Sequence, residues 1–582
     1  MLMEKKRPPH CFTASVSTST SIALAMVLAA GGPMQAGVLT WDGNGATTPN
    51  PNGGAGTWNT SNSNWWDGTT NVSWPGSGTD NDAVFANTGG IVTMGTVTAN
   101  DLTFNSSGYS LSSGANLTLN GTTPTITVAS GIGVTFNTPV SGSSGLYKAG
   151  AGNLTLASST NSWTNGTFIK EGTLIIGTGN NRLPTGTTVT LGGTGTTGTL
   201  QLGASGTGRN QTLAGLLTTG NGGSVTNSGT STLTLDIASG TNNFDGALAN
   251  TLNLTKTGNG NLTLSGTNTS TGTTAINAGT LQYAKPASLY NSNAANWVPS
   301  KITVESGATL ALNVGGGSDF TSANVDTLLD NSHLGNSTAT TGLKSGAVLG
   351  FDTSNGDFVY GSAIANPAAG ANTLNLTKTG ANTLTLSNTS SYTGNTTVSG
   401  GKLVINGNIS TSTLTTVQSG ASLGGTGTVG ALTIDAGGTL APGNSAGNMN
   451  IAGNLTLAGT FAWELAALST ANPGSDFDTL TVITGSVDLT GAILALNLGL
   501  NTPSAIPFWQ TDQTWSGILN NSGSGTLIGA FSPIDNSAWA TLGAFSTTYT
   551  GNDANLIWTA VPEPQAALLG SLGLLALLRR RR

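Results

Sequence analysis

Few residues in this chain could do chemistry, and they stand far apart. Only 7% of the 582 residues are charged, against about 25% in ordinary soluble proteins. Beyond the first 36 residues there is one histidine, His333, in Asp330-Asn-Ser-His333-Leu-Gly335. A hydrolytic triad built on it would need serine and carboxylate partners brought in by the fold. Asp80 with Asp82, and Asp476 with Asp478, could offer oxygens to calcium. The Gly-Gly-x-Gly-x-Asp nonapeptide does not recur, so both pairs read as solvated turns, and no metal or cofactor is expected. Trp41, Trp58, Trp65, Trp66 and Trp74 crowd one short stretch. Open indole faces there could stack on sugars; the favoured reading is that they pack together as a cap. Lys148, Lys256 and Lys378 recur at one repeat position. Catalysis needs one site and not three, so they read as structural turn residues.

The elements that must position these residues are strands. Hydrophobic residues make up 37% of the chain, and they recur in Leu-Thr-Leu, Ile-Thr-Val and Val-Thr-Leu. That alternation puts aliphatic residues on one face and Thr on the other, the strand period. The 86 glycines, with Asn, supply turns between short runs. Helix signals are nearly absent outside the two termini.

Three segments align: Lys148-Ala-Gly-Ala-Gly-Asn-Leu-Thr-Leu156, Lys256-Thr-Gly-Asn-Gly-Asn-Leu-Thr-Leu264 and Lys378-Thr-Gly-Ala-Asn-Thr-Leu-Thr-Leu386. Each continues to a later Gly-x-Leu, ending at Leu174, Leu281 and Leu403. A period in the twenties in strand-forming sequence predicts one solenoid coil per repeat. Stacked at about 4.8 Å per coil, such coils would make a rod on the order of 100 Å. The pattern Leu-x-Lys-x-Gly, Leu-Thr-Leu, Tyr-Thr-Gly-x-Thr, Gly-x-Leu resembles autotransporter-associated β-strand repeats, at about 146–174, 254–281 and 376–403. Leu440-Ala-Pro-Gly-Asn-Ser445 with Leu455-Thr-Leu457 resembles the end of such passenger regions. The alternating strands of a membrane barrel are not seen after it.

The two ends read as addresses. Lys5, Lys6 and Arg7 precede an apolar run from Ile22 to Ala30, and Ala36 is the expected cleavage residue of a signal peptide over 1–36. Cys11, the only cysteine, falls in that segment, so the exported chain has no disulfide or thiol chemistry. At the other end Val561-Pro562-Glu563-Pro564 is followed by an apolar stretch from Ala566 to Leu578 and then Arg579, Arg580, Arg581 and Arg582. Thirteen helical residues rise about 20 Å, short of the ~30 Å hydrocarbon core. Four terminal arginines favour the cytoplasmic side. This tail resembles the PEP-CTERM sorting signal. The resemblance implies recognition of Pro-Glu-Pro by an exosortase, a membrane transpeptidase, a transient inner-membrane stage, and delivery to the surface or matrix of a Gram-negative-type cell rich in exopolysaccharide.

Setting aside 1–36 and 561–582 leaves 22 acidic and 10 basic residues, a net charge of −12. Such a surface argues against nucleic acid, which demands clustered Lys and Arg. The expected fold is all-β: a right-handed parallel β-helix or solenoid over 126–460. A Trp-rich N-terminal cap with the first coils is expected over 37–125, a β-rich end over 461–560, and a short apolar C-terminal helix in the tail 561–582. Residues 285–370 are expected to carry large loops. The expected function is non-enzymatic: an exported structural or adhesive protein associated with exopolysaccharide. The alternative is a β-helical polysaccharide-degrading lyase or hydrolase, against which stands the scatter of the carboxylates.

Overall fold

The computed structural model describes residues 37–45, 51–76, 81–112, 114–523, 525–561, 572–576 and 579. Ala36 and Pro562 to Pro564 lie outside the described residues, as does most of the apolar and arginine-rich tail.

Alternating strands with one apolar face cannot bury that face alone, and the chain solves this by stacking. Asn153–Leu156 lies in register on Gly172–Ile176, which lies on Gly198–Leu202. Leu154, Leu174 and Leu200 thus form one rung series, and Leu156, Ile176 and Leu202 a second; all six are buried. Each such side chain contributes roughly 2 kcal/mol of burial. Sheets of up to 17 strands grow this way along the axis. Among the described residues, every pairing between strands is parallel except at the two ends. The result is the all-β parallel solenoid that the alternation predicts, and residues 572–576 are helical.

Coil length is more variable than the expected 20–25 residues. Leu423 stacks on Leu440, 17 residues on, whereas Leu310 stacks on Leu349, 39 residues on. The long coil carries a helix that the sequence reading did not anticipate, α1 (Ser322–Leu329). Its start is encoded locally: Thr321 Oγ1 accepts from the Asn324 N–H, and Asn324 Oδ1 accepts from the Thr321 N–H, a reciprocal cap. Val325 and Leu328 are buried. Tyr360 Oη donates to Asp326 Oδ1 at 2.9 Å, fixing the helix against Phe358–Tyr360, the strand that opens a seven-stranded sheet.

Both ends change pairing. Val38–Trp41 pairs antiparallel with Trp65–Trp66, which pairs antiparallel with Asn71–Val72. At the far end parallel stacking continues onto Gln513–Asn521 and Leu527–Ile528, and Asp553–Ala560 then pairs antiparallel with both Gln513–Asn521 and Gly543–Thr550. Reversing the pairing closes ends that would otherwise template another chain.

Candidate functional site: stitched corners and outward faces

The three recurring lysines are structural, but they do not sit in turns. Each lies within a strand on its inward side, with side chain buried: Lys148 in Leu146–Ala149, Lys256 in Leu252–Thr257, Lys378 in Leu374–Thr379. Lys148 stands between Ile126 and Ile169 of the neighbouring coils, and Lys378 between Phe351 and Val398. The ammonium groups turn back onto the corner that follows. Lys148 Nζ donates to the carbonyls of Ala149 (2.9 Å), Gly150 (2.6 Å) and, one coil on, Glu171 (3.0 Å). Lys256 Nζ donates to Thr257 (2.7 Å), Gly258 (2.8 Å) and Ala278 (3.3 Å). Lys378 Nζ donates to Thr379 (2.8 Å), Gly380 (2.7 Å) and Gly400 (3.0 Å).

Three N–H donors meet three carbonyls, so a charged amine is fully satisfied where it is buried. Burial pulls each ammonium down to about 8, partly opposed by Glu171 near Lys148, Asp236 near Lys256, and Asp352 and Asp357 near Lys378. The three strands belong to three different sheets. The glycines of the motif are required by the same geometry. Gly172, Gly279 and Gly401 have φ of 68°, 64° and 59°. A Cβ on any of them would lie within 2.6 Å of two carbonyl oxygens of the preceding corner, too close for any side chain.

A second device was not legible as such. The motif Thr points inward, not outward: Thr167, Thr274 and Thr396 are buried. In the first repeat Trp163 Nε1 donates to Thr167 Oγ1 at 3.0 Å, and in the third Tyr392 Oη lies 2.7 Å from Thr396 Oγ1. In the second repeat the aromatic position is Ser270. Tyr290, from the loop beyond the repeat, supplies the phenol instead, 3.1 Å from Thr274 Oγ1.

The remaining candidate residues resolve individually. Trp41, Trp58, Trp65 and Trp74 are buried, which removes them as sugar-stacking faces; Trp66 is half-buried. Their rings pack at centroid distances of 4.5–5.1 Å and join the Phe85–Phe104 stack. Two indoles are anchored by carbonyls, Trp41 to Gly54 and Trp74 to Thr98, both at 2.9 Å. Four buried indoles packed on one another and on Phe85 favour packing over display.

Asp478 is a correction to the solvated-turn reading. It is buried, and its carboxylate accepts from the Gly447 N–H (2.8 Å) and the Glu464 N–H (2.9 Å). It thereby clamps the end of the Leu440–Ser445 segment. Burial raises its carboxyl to about 7. Asp476 accepts instead from Asn472 Nδ2. Asp82 accepts from Asn100 Nδ2 and the Asp101 N–H, while Asp80 lies outside the described residues. His333 Nδ1 lies 2.8 Å from Asp330 Oδ1 in an exposed turn where Ser332 contributes its backbone N–H. Among the described residues no three His, Cys, Asp or Glu side chains converge as a metal-binding group, and no helix is long and apolar enough to cross a membrane. Val561 is half exposed, and Leu572, Leu574 and Leu575 are exposed.

The same three segments are matched by the family profile described as passenger-associated-transport-repeat, at residues 146–176, 254–282 and 376–405. A 141-residue stretch is 41% identical to the adhesin BmaC autotransporter of Brucella suis biovar 1 (strain 1330), covering 23% of this chain and 4% of that protein. The chain therefore carries autotransporter passenger-type repeats on a β-solenoid. It spans only a small fraction of the length of the relative it matches.

Proposed function

We propose that the chain is an exported, non-enzymatic β-solenoid of the cell surface or extracellular matrix that works as a spacer and adhesive element. One observation carries the reading: the lysines that recur with the repeats are consumed in corner stitches, and the long outward faces left over are hydroxyl- and amide-rich. The likeness to an adhesin passenger supports it. In this account a signal peptide ending near Ala36 starts export. The Val561-Pro562-Glu563-Pro564 tail, with its apolar run and Arg579 to Arg582, holds the protein briefly in the inner membrane. An exosortase-type enzyme then removes the tail, and exopolysaccharide is the surrounding partner at the outer surface. The test is expression of the full chain and of a chain ending at Ala560 in a host carrying an exosortase. The full chain is expected at the surface with its C-terminal arginines missing by mass spectrometry, and it should increase cell attachment. An intact Arg582 on surface-exposed protein contradicts the delivery route; unchanged attachment contradicts the adhesive role.

A further inference from the structure

One corner of the solenoid gathers positive charge that nothing in the fold answers. Arg182 and Arg209 are the only arginines between residues 37 and 560, and they stand on consecutive coils. The two loops that carry them are tied together: Asn180 Oδ1 accepts from the Asn210 N–H (2.9 Å), Asn181 Oδ1 from the Thr212 N–H (2.8 Å), and the Asn210 carbonyl from the Asn181 N–H (2.9 Å). Both side chains, half-buried, turn toward the start of the first loop. Arg209 donates from Nε to the Gly177 carbonyl and from Nη1 to the Gly208 carbonyl, both at 3.1 Å. Arg182 folds back over Gly179, where a Cβ would collide with its Nη2. The guanidinium of Arg182 makes no hydrogen bond among the described residues, and its Nε is buried. The ion pairs among the described residues are His333 with Asp330 and Lys344 with Glu305, so neither arginine has one. Between Asp101 and Asp236 the single acidic residue is Glu171. It stands beside Lys148, at the other end of the strand Gly172–Ile176. Asp236 closes the strand whose first residue, Ser231, meets the Arg209 N–H. The coils on either side bring hydroxyls and amides to this corner: Ser158, Thr160 and Asn161 before it, Ser228 and Thr230 after it.

A charged donor left without an acceptor is costly, and an arriving oxyanion supplies the acceptor. The planar guanidinium fork matches the two oxygens of a carboxylate. The surroundings restrict what carries that carboxylate. Residues 37–560 are net −12, so a partner charged at every step meets repulsion away from this corner. A partner with isolated carboxylates among many hydroxyls meets matching hydroxyls and amides on both sides. On the surface-protein reading proposed above, we infer that the Arg182–Arg209 corner binds the carboxylate of an acidic sugar, a uronate set among neutral sugars in a polysaccharide.

The test is calorimetric titration of residues 37–560 with oligosaccharides of gellan, a linear glycan in which glucuronate is interspersed with neutral sugars. The buried core runs from Leu39 to Trp558, so this span carries it whole and leaves out the cationic ends. Carboxyl-reduced gellan offers the same backbone without charge, and polyglutamate offers carboxylates on a peptide. The parent is expected to bind gellan, more weakly at high salt, and not to bind the reduced form. Arg182→Gln should weaken binding about tenfold. Arg182→Lys, which keeps the charge and loses the fork, should weaken it as well, and so should Gly179→Ala, which pushes the guanidinium off its seat. Lys170→Gln takes one charge from an exposed lysine at the Glu171 corner and should change nothing. Circular dichroism and thermal unfolding establish that each variant is folded. Equal binding by parent and Arg182→Gln overturns the assignment, as does no binding by the parent, or a loss in Lys170→Gln as large as in Arg182→Gln. Equal binding of reduced gellan removes the carboxylate from the account, and tighter binding of polyglutamate replaces the sugar with an acidic protein segment. Cell attachment by the full chain, measured separately, decides the surface role whichever way the titration falls.

Discussion

The N-terminal cap and the three stitched corners hold the same solenoid together by opposite means. At the cap, Trp41, Trp58, Trp65 and Trp74 fill the interior with ring on ring, and only one end of the molecule depends on them. At the corners a charged amine is taken inside and satisfied by three carbonyls from two coils, so each stitch ties a coil to the next. Aromatic packing closes an end where no further coil exists to stack on. A lysine stitch acts where stacking continues but the backbone must turn sharply and leave carbonyls facing inward. In a solenoid each coil contacts only its neighbours, so damage to either device should stay local.

The largest expected effect is at the cap. Trp58→Ala removes a fully buried indole and should cost about 3–5 kcal/mol, read by hydrogen exchange as fraying of residues 38–112 with little change beyond Lys148. Next is Lys378→Met, which keeps the stem and removes the donors. Three carbonyls lose their partner at once, and a loss of about 3 kcal/mol is expected. Exchange should quicken in 374–405 and leave the cap untouched. Gly401→Ala attacks the same corner through sterics. With φ at 59° and carbonyls of Gly380 and Asn382 at 2.5 Å from the added Cβ, about 2 kcal/mol is expected. A change of Thr397 alone to Val, on an outward face, should stay within about 0.5 kcal/mol in thermal unfolding.

Titration sharpens the contrast further. The corner ammoniums have lower pKa values folded, about 8, than the 10.5 of the free side chain. Between those values the unfolded chain holds more protons, so corner stability should rise with pH through that window, and the cost of the buried charge is fully present below it. The buried phenols of Tyr290 and Tyr392 are raised to about 12 by burial and act in the opposite direction above 10. Exchange at the stitched corners is therefore best followed from pH 8 up to 10. Lys378→Met should abolish the rise at residues 374–405 alone.

Much of this architecture was legible because it is written in short-range pattern. Leu-Thr-Leu alternation fixed which side chains go inward, and Lys-x-Gly with the later Gly-x-Leu marked consecutive corners. The burial of Lys148, Lys256 and Lys378 was hidden because lysine alone reads as a solvated residue. Only the carbonyls gathered by two coils make an interior place for it. The recurrence of lysine two residues before a glycine was the signal that could have found it. The inward Thr167, Thr274 and Thr396 were masked by the outward role of most threonines. Tyr290 standing in for the aromatic absent at Ser270 depends on a loop returning to the repeat, which no local spacing encodes. The same holds for Asp478, whose partners at Gly447 and Glu464 come from neighbouring coils.

Burial of the three repeat amines is open to chemical labelling. The folded chain would be treated briefly with an amine-reactive acylating reagent at neutral pH and read by peptide mass spectrometry. Lys148, Lys256 and Lys378 should stay unmodified while the exposed Lys170 reacts, and all four should react after denaturation. Modification of the three repeat lysines at the rate of Lys170 in the folded chain would contradict the account.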